Sequence, residues 1–400
     1  MDLNSGLPYS LIKNGLPASY PKLMKSLKTD VVIIGGGISG ALSAHYLVEA
    51  GFNCILVDRR TIGLGSTCGS TSLLQYELDK PLYQLSEQIG LDNARRAYTL
   101  CSTAIDNIEQ ISKEIGFSQF EKSNSLFFAA NKKDALIIGK EFDSRKNSGF
   151  KVQLLKEDEI KEQFGFTATS AILSDQGATT DAYLFTHALL QYNIKRGLLV
   201  FDRTTVEKTD YRKSEVQIST ANGHTLKAKY IVNASGYEIT EFIKKRIVKL
   251  QSTFAFTSQQ MPTPTPIWKS KTLLWNSADP YLYMRMTPDN RVMIGGRDEM
   301  FFNTKRRDKM INKKTLLLKK DFSKLFPEIE IIPEFSWTGT FGTTSDALPY
   351  IGTYHKTPRT YYSLGFGGNG ITFSVIAAEL IRDMICGKNN KDASLFTFDR

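Results

Sequence analysis

The stretch T29-D-V-V-I-I-G-G-G-I-S-G-A-L-S-A-H-Y-L-V-E-A-G-F-N-C-I-L-V-D-R-R60 decides the fold. Val31 to Ile34 is a short, wholly apolar run of β-branched residues, the pattern of a strand buried on both faces in a parallel sheet. Ile38 to Ala50 fits a helix stopped by Gly51, and Cys54 to Val57 gives a second apolar strand. Together they make one βαβ unit of about 30 residues.

Between the first strand and the helix lies Gly35-x-Gly37-x-x-Gly40, and an acid, Asp58, follows 18 residues beyond Gly40. In this context the glycines have separate jobs. Gly35 allows the tight turn, Gly37 lets backbone approach a pyrophosphate, and Gly40 lets the helix pack close to the strand. The helix N-terminus offers unpaired N–H groups and roughly half a positive charge to the phosphates. Asp58, at the end of the second strand, can accept hydrogen bonds from a ribose. The fingerprint alone leaves NAD and FAD both open.

Three segments further along narrow the choice: I62-G-L-G-S-T-C-G-S-T-S-L-L74, Y230-I-V-N-A-S-G236 and Y361-Y-S-L-G-F-G-G-N-G-I-T-F373. Between them, helical periodicity covers Gln88 to Ile115 and Asp181 to Arg196, with strands expected at Ser125 to Ala130 and Leu199 to Phe201. A hairpin is expected from Glu215 to Ile231, turning at Asn222-Gly223. Lys249 to Gly296, rich in β-branched and aromatic residues and spaced by Pro262, Pro264 and Pro266, suggests an antiparallel sheet. The first 28 residues show no periodicity and read as a surface arm.

With 41% apolar and 23% charged residues, the 400-residue chain has ordinary globular composition, which excludes disorder, collagen and coiled coil. No run reaches the roughly 18 apolar residues of a spanning helix. The opening M-D-L-N-S-G-L-P-Y-S has no secretory pattern. Four scattered cysteines and four scattered histidines give neither a disulfide framework nor a metal site. A soluble, cytoplasmic protein without metal is the expectation. The net charge of +10 suits nucleic acid, a phosphorylated ligand or an acidic surface equally, and reads most simply as a Lys-rich solvated face. Lys305-Arg306-Arg307 and Lys313-Lys314 cluster without any nucleic-acid-binding pattern, so nucleic acid is not an expected partner.

At the fingerprint and the three segments the chain resembles the D-amino-acid oxidase family of FAD-dependent oxidoreductases, which includes glycine oxidase, sarcosine oxidase, D-amino-acid dehydrogenase and gamma-glutamylputrescine oxidase. The resemblance runs from Asp30 to Gly387. It implies an α/β (α+β) chain: a GR2-type Rossmann-like FAD-binding domain interleaved with a substrate domain on an antiparallel sheet. The expected division is an arm at 1–28, the FAD domain at 29–85, 166–245 and 336–388, the substrate domain at 86–165 and 246–335, and a tail at 389–400. The resemblance further implies that Gly35, Gly37, Ile38, Ser39 and Gly40 hold the pyrophosphate, and that Asp58 and Arg59 flank the adenosine. Ser66, Thr67, Ser70 and Thr71 would line the ribityl chain and flavin edge, and the Val206 backbone would meet the adenine. Ala234, Ser235 and Gly236 would sit beside the cofactor, and Gly367, Gly368, Asn369, Gly370, Ile371 and Thr372 would meet the pyrimidine end of the flavin. A helix starting near Gly370 would aim a second positive end at the charge a reduced flavin carries.

In the resembled family the reaction removes a hydride from the C–H next to an amine to flavin N5, and the resulting imine hydrolyses; oxygen or a quinone or other electron carrier takes the electrons. Glycine-oxidase-like members carry a carboxylate-gripping Arg shortly after a Trp. Here W337-T-G-T-F-G has Thr340, Phe341 and Gly342 in that region, which departs from the pattern. A substitute is available in Y281-L-Y-M-R285: on a strand, Tyr283 and Arg285 share a face and could grip a carboxylate together. The positions where relatives link flavin covalently fall near Gly339 and Gly69, so FAD is expected to be non-covalent. Alternatives are a glycerol-3-phosphate-like alcohol dehydrogenase and a flavin-dependent tRNA-modifying protein.

Overall fold

The computed structural model describes residues 2–241, 243, 247–262, 268 and 271–400. Pro264 and Pro266 lie outside them. Two sheets organise the chain. In the first, strands run in the order Tyr350–Thr353, Thr360–Leu364, Thr225–Asn233, Leu27–Ile34, Cys54–Val57, Leu199–Phe201. All neighbours from Thr360–Leu364 to Leu199–Phe201 are parallel, with Tyr230 opposite Val31 and Ile34 opposite Val57. The helix Ile38–Glu49 crosses between the two fingerprint strands, so the βαβ unit forms as its apolar runs require. The hairpin pairs Val216–Thr220 with Thr225–Asn233, and a further strand, Val206–Tyr211, extends it.

The second sheet is larger and mixed, mostly antiparallel: Asn4–Gly6, Pro333–Thr343, Lys249–Ser258, Val292–Glu299, Tyr283–Met286, Leu273–Asn276, Glu121–Phe128, Ser170–Thr179, Leu73–Gln75, with Val152–Lys156 beside Ser170–Thr179. This membership differs from the expected division. Leu73–Gln75, Ser170–Thr179 and the part of Pro333–Thr343 from Ser336 on belong here, although those residues were expected to lie in the nucleotide-binding part. A strand's own sequence carries no mark of which sheet it will join; tertiary pairing decides it.

The N-terminal segment also departs from expectation. Asn4–Gly6 pairs with Trp337–Gly339, and Leu3, Tyr9, Tyr20 and Leu23 are buried, so these residues are part of the fold rather than an arm over it. The basic cluster divides in the same way. Arg307 is fully buried, donating to Asp2 O, Ser5 Oγ and Thr340 Oγ1, and Lys314 is buried against Glu299 Oε1 at 2.5 Å.

The largest apolar core surrounds two helices, Ile38–Glu49 and Gly370–Ile385, which pack on each other; the first also packs on Ala182–Ile194 and the second on Leu91–Glu114. Both are buried on most sides, and their sequences are rich in apolar and small residues all round. Ser39 Oγ and Ser374 Oγ meet at 2.6 Å, tying together the first turns of helices that lie 335 residues apart. A second apolar core backs the other sheet, with Phe254, Phe256, Met284 and Ile294 on its inner face. No helix among the described residues is long and apolar enough to cross a membrane.

Candidate active site

A cavity of about 310 Å³ lies between the two sheets. One wall is the carboxyl edge of the parallel sheet, through Ile34, Val57, Ala234 and Phe366, where ligands bind in open α/β sheets. The other wall comes from the larger sheet through Thr253, Tyr283, Asp298 and Gly339 to Phe341.

At the fingerprint the backbone bends as the glycines predict. Gly35 has φ +113°, and a Cβ there would lie 2.4 Å from Ala234 O; one on Gly37 would lie 2.8 Å from Thr67 Oγ1. Gly40 does not itself line the cavity. A Cβ on it would fall 1.8 Å from Gly35 O, so it serves helix–strand contact and reaches the site only through Gly35. Gly36, which the fingerprint does not count, is equally constrained, with Ile62 Cδ1 2.2 Å from where its Cβ would be.

Asp58 accepts from Gly36 N at 2.6 Å and from Arg60 N at 2.7 Å, fixing the turn it faces. Burial pushes its carboxyl above the usual range. Arg59 and Arg60 both pair with Glu238, which the sequence reading missed. Thr67 Oγ1 accepts from Ile38 N at 3.1 Å, and Ser66 Oγ is buried with no partner among the described residues. Ser70, Thr71 and Val206 line the same wall, as do Ser235 and Gly236; Ser235 donates to Asn233 Oδ1 through N and Oγ.

The second helix end closes the opposite side. Gly367, Gly368, Asn369, Gly370, Ile371 and Thr372 all line the cavity. Asp79 accepts from Gly368 N at 2.9 Å, and the Asn369 amide donates to Gln75 O and Glu77 O, holding the turn. Behind it, Arg145 sits between Glu77 and Glu141 at 3.2 and 2.6 Å, all three fully buried.

The substrate candidates separate. Tyr283 lines the large cavity, and burial pushes its hydroxyl up to about 12. Arg285 does not share that cavity. It lines a neighbouring one of about 140 Å³ with Lys13, Glu121 and Asp181, and its Nε donates to Thr71 O at 2.6 Å. Both start on one strand face, but the long guanidinium side chain turns behind residues 70–72 and the two do not form a joint grip. Tyr281 takes part instead, donating to Asp79 Oδ1 at 3.0 Å, with its ring 5.8 Å from that of Tyr283.

Asp298 was missed altogether. Between Ser252↔Glu299 and Phe254↔Gly296 the strand Val292–Glu299 carries one extra residue, and Arg297 has φ +57°. The Gly295-Gly296 pair within a strand was the available signal.

The geometry defines a dinucleotide site: two helix N-termini and a glycine cradle facing one cavity, with an orphaned hydroxyl inside it. The residues fit FAD: the fingerprint turn and Asp58 would hold its pyrophosphate and adenosine, the Ser66–Thr71 loop its ribityl chain and flavin edge, and the Gly367–Thr372 turn its pyrimidine end. Residues 30–384 match the family described as FAD dependent oxidoreductase (DAO). The chain is 24% identical over 387 residues to gamma-glutamylputrescine oxidoreductase of Escherichia coli K12, covering 92% of this chain and 86% of that protein. It is 21% identical to D-amino acid dehydrogenase of Vibrio vulnificus CMCP6 over 411 residues, covering 90% and 97%. The glycine oxidase structure from Geobacillus kaustophilus superposes with a TM-score of 0.79 at 19% identity, over 93% of this chain and 99% of that one. This protein belongs to the DAO family of FAD-dependent oxidoreductases.

Proposed function

We propose that this enzyme oxidises the C–H next to an amine of a small amine or amino acid by hydride transfer to bound FAD, and that the resulting imine is released to hydrolysis. When bound, FAD supplies the two-electron acceptor. The chain's own residues bind, orient and shield: Phe341, Phe366 and the two tyrosines narrow the cavity, while Tyr281 is held by Asp79. The observation that carries the reading is the charge of the wall. Among the described residues, its only basic side chains are Arg59 and Arg60, both joined to Glu238. A phosphorylated alcohol would find no cation near Tyr283, whereas an amine would find a carboxylate, Asp298.

Non-covalent FAD fits the same wall, since Gly69 and Gly339 line it and no Cys or His among the described residues does. Oxygen and a quinone or other carrier both remain in the proposal as acceptors. Anaerobic mixing of the holoprotein with amines, amino acids and glycerol 3-phosphate tests the reading. An amine or amino acid should bleach the flavin absorbance; bleaching by glycerol 3-phosphate alone, or by none of them, overturns it.

A further inference from the structure

We propose that Asp298, with the Tyr281–Tyr283 pair, forms a seat for a second cationic group of the substrate, so that the enzyme selects an alkyl diamine over an amino acid held by its carboxylate. The inference rests on amine oxidation as the proposed reaction and names the class of amine.

The bulge in Val292–Glu299 sets where Asp298 points. In a regular strand Ile294, Gly296 and Asp298 would share a face, and Ile294 belongs to the apolar core behind the sheet. The extra residue between Gly296 and Glu299 reverses the alternation, and Asp298 emerges on the side of Thr253 and Tyr283, which line the cavity. Bulges beside active sites commonly re-aim one side chain in this way. The re-aimed chain is a carboxylate, which is costly to place in an enclosed site without a cation.

No cation among the described residues is paired with it. Asp298 Oδ1 is buried with no hydrogen-bond partner among the described residues, and the side chain bonds to Thr253. The charges that act on it are Asp79 and Asp279, both negative, and Lys314, whose ammonium is held by Glu299 Oε1 and Arg297 O. Burial, with Asp79 adding repulsion, pushes its carboxyl up to about 7. The structure therefore presents a carboxyl that no cation among the described residues pairs with, and that an arriving ammonium group would hold ionised. Tyr281 and Tyr283 add two ring faces beside it, tilted 55° to one another. A carboxylate next to aromatic faces is the chemistry that holds an ammonium ion.

The reacting amine must be neutral to release a hydride, so a cation on this seat is a different group of the same substrate. A carboxylate at that end would meet Asp298, with no basic side chain among the described residues lining the cavity beside it. The cavity departs here from a carboxylate-gripping site in charge as well as in residue identity.

Three probes with one skeleton separate the outcomes: 1,4-diaminobutane, 1-aminobutane and 4-aminobutanoate, each mixed anaerobically with the holoprotein while flavin absorbance is followed. The diamine should bind at least about tenfold more tightly than the monoamine, and 4-aminobutanoate more weakly than either. In Asp298→Asn, which keeps the side-chain shape, that diamine preference should collapse, and Asp298→Glu should restore part of it. Tetramethylammonium, which has no free amine lone pair, supplies a binding readout independent of turnover: it should perturb the flavin spectrum of the wild type and do so at least about tenfold more weakly in Asp298→Asn. A preference for 4-aminobutanoate or an α-amino acid, or a diamine preference that survives in Asp298→Asn, overturns the seat while leaving amine oxidation standing. If no amine or amino acid bleaches the flavin, amine oxidation falls, and the tetramethylammonium titration still decides whether Asp298 binds a cation.

Discussion

The two ends of the cavity are built from different materials. At the fingerprint end the site is mostly backbone: Gly35, Gly36 and Gly37 leave no room for side chains, and helix N–H groups face the space. At the far end it is mostly side chain, with Tyr281, Tyr283, Asp298 and Phe341 reaching in from three neighbouring segments. Backbone sites bind what every member of a fold binds; side-chain sites distinguish one substrate from another. The supports differ as well. The fingerprint turn is held by close steric contact together with Asp58 and Thr67, which accept from Gly36 N and Ile38 N, whereas the Gly367–Thr372 turn is held by Asp79 and by Asn369, which bonds Glu77 O beside a buried ionic trio.

The largest expected effect breaks the steric support. Gly40→Ala places a methyl against Gly35 O and should cost more than about 4 kcal/mol, read as loss of soluble folded protein or of FAD retention. An unaltered denaturation midpoint would contradict the packing role. Breaking the ionic support comes next. Arg145→Ala strands Glu77 and Glu141 in the core and should cost about 3–5 kcal/mol by chemical denaturation.

The fingerprint end could be read from the sequence because its requirements are local. A strand, a glycine turn, a helix and an acid follow one another within 30 or so residues, so the pattern is complete in one local stretch even though Gly35 and Gly37 also face Ala234 and Thr67 from outside it. The Gly367–Thr372 turn was visible for the same reason, since glycines before a helix signal close backbone approach. The reactive end was not. Tyr283 was found by alternation, but alternation alone placed Arg285 with it, because the path of a long side chain depends on what residues 70–72 leave open. Asp298 depends on a bulge, and Leu3 and Asn4 reach the wall only because Asn4–Gly6 pairs with a strand more than 300 residues away. Such facts belong to tertiary pairing.

The smallest effect sharpens the contrast through pH. His187, on the helix Ala182–Ile194 beneath Gly63, is held down to about 4 by burial, against the pull of Asp181. Between pH 4 and 6.5 the unfolded chain binds the extra proton, so this group makes stability rise with pH, by about 3 kcal/mol across the window. Asp298 is raised instead, from 3.8 to about 7, so the folded chain binds the proton there and stability falls as pH rises. Relative to wild type, His187→Gln should lose the rise and Asp298→Asn should lose the fall. Urea titrations from pH 4 to 7, at one FAD concentration, compare the slopes; equal slopes in all three proteins would contradict both assignments.

The central claim is that the two helix ends and the glycine cradle between them hold one FAD molecule across the whole cavity. Equilibrium titration of the cofactor-free protein with FAD and with FMN, read by flavin fluorescence, tests it most directly. FMN would keep the contacts proposed at Gly367–Thr372 and forgo those proposed at Asp58, Arg59 and Val206. It should bind at least about a hundredfold more weakly than FAD, and Gly37→Val should reduce FAD affinity toward that of FMN. Equal binding of FMN and FAD, or full FAD affinity in a folded Gly37→Val protein, would contradict it.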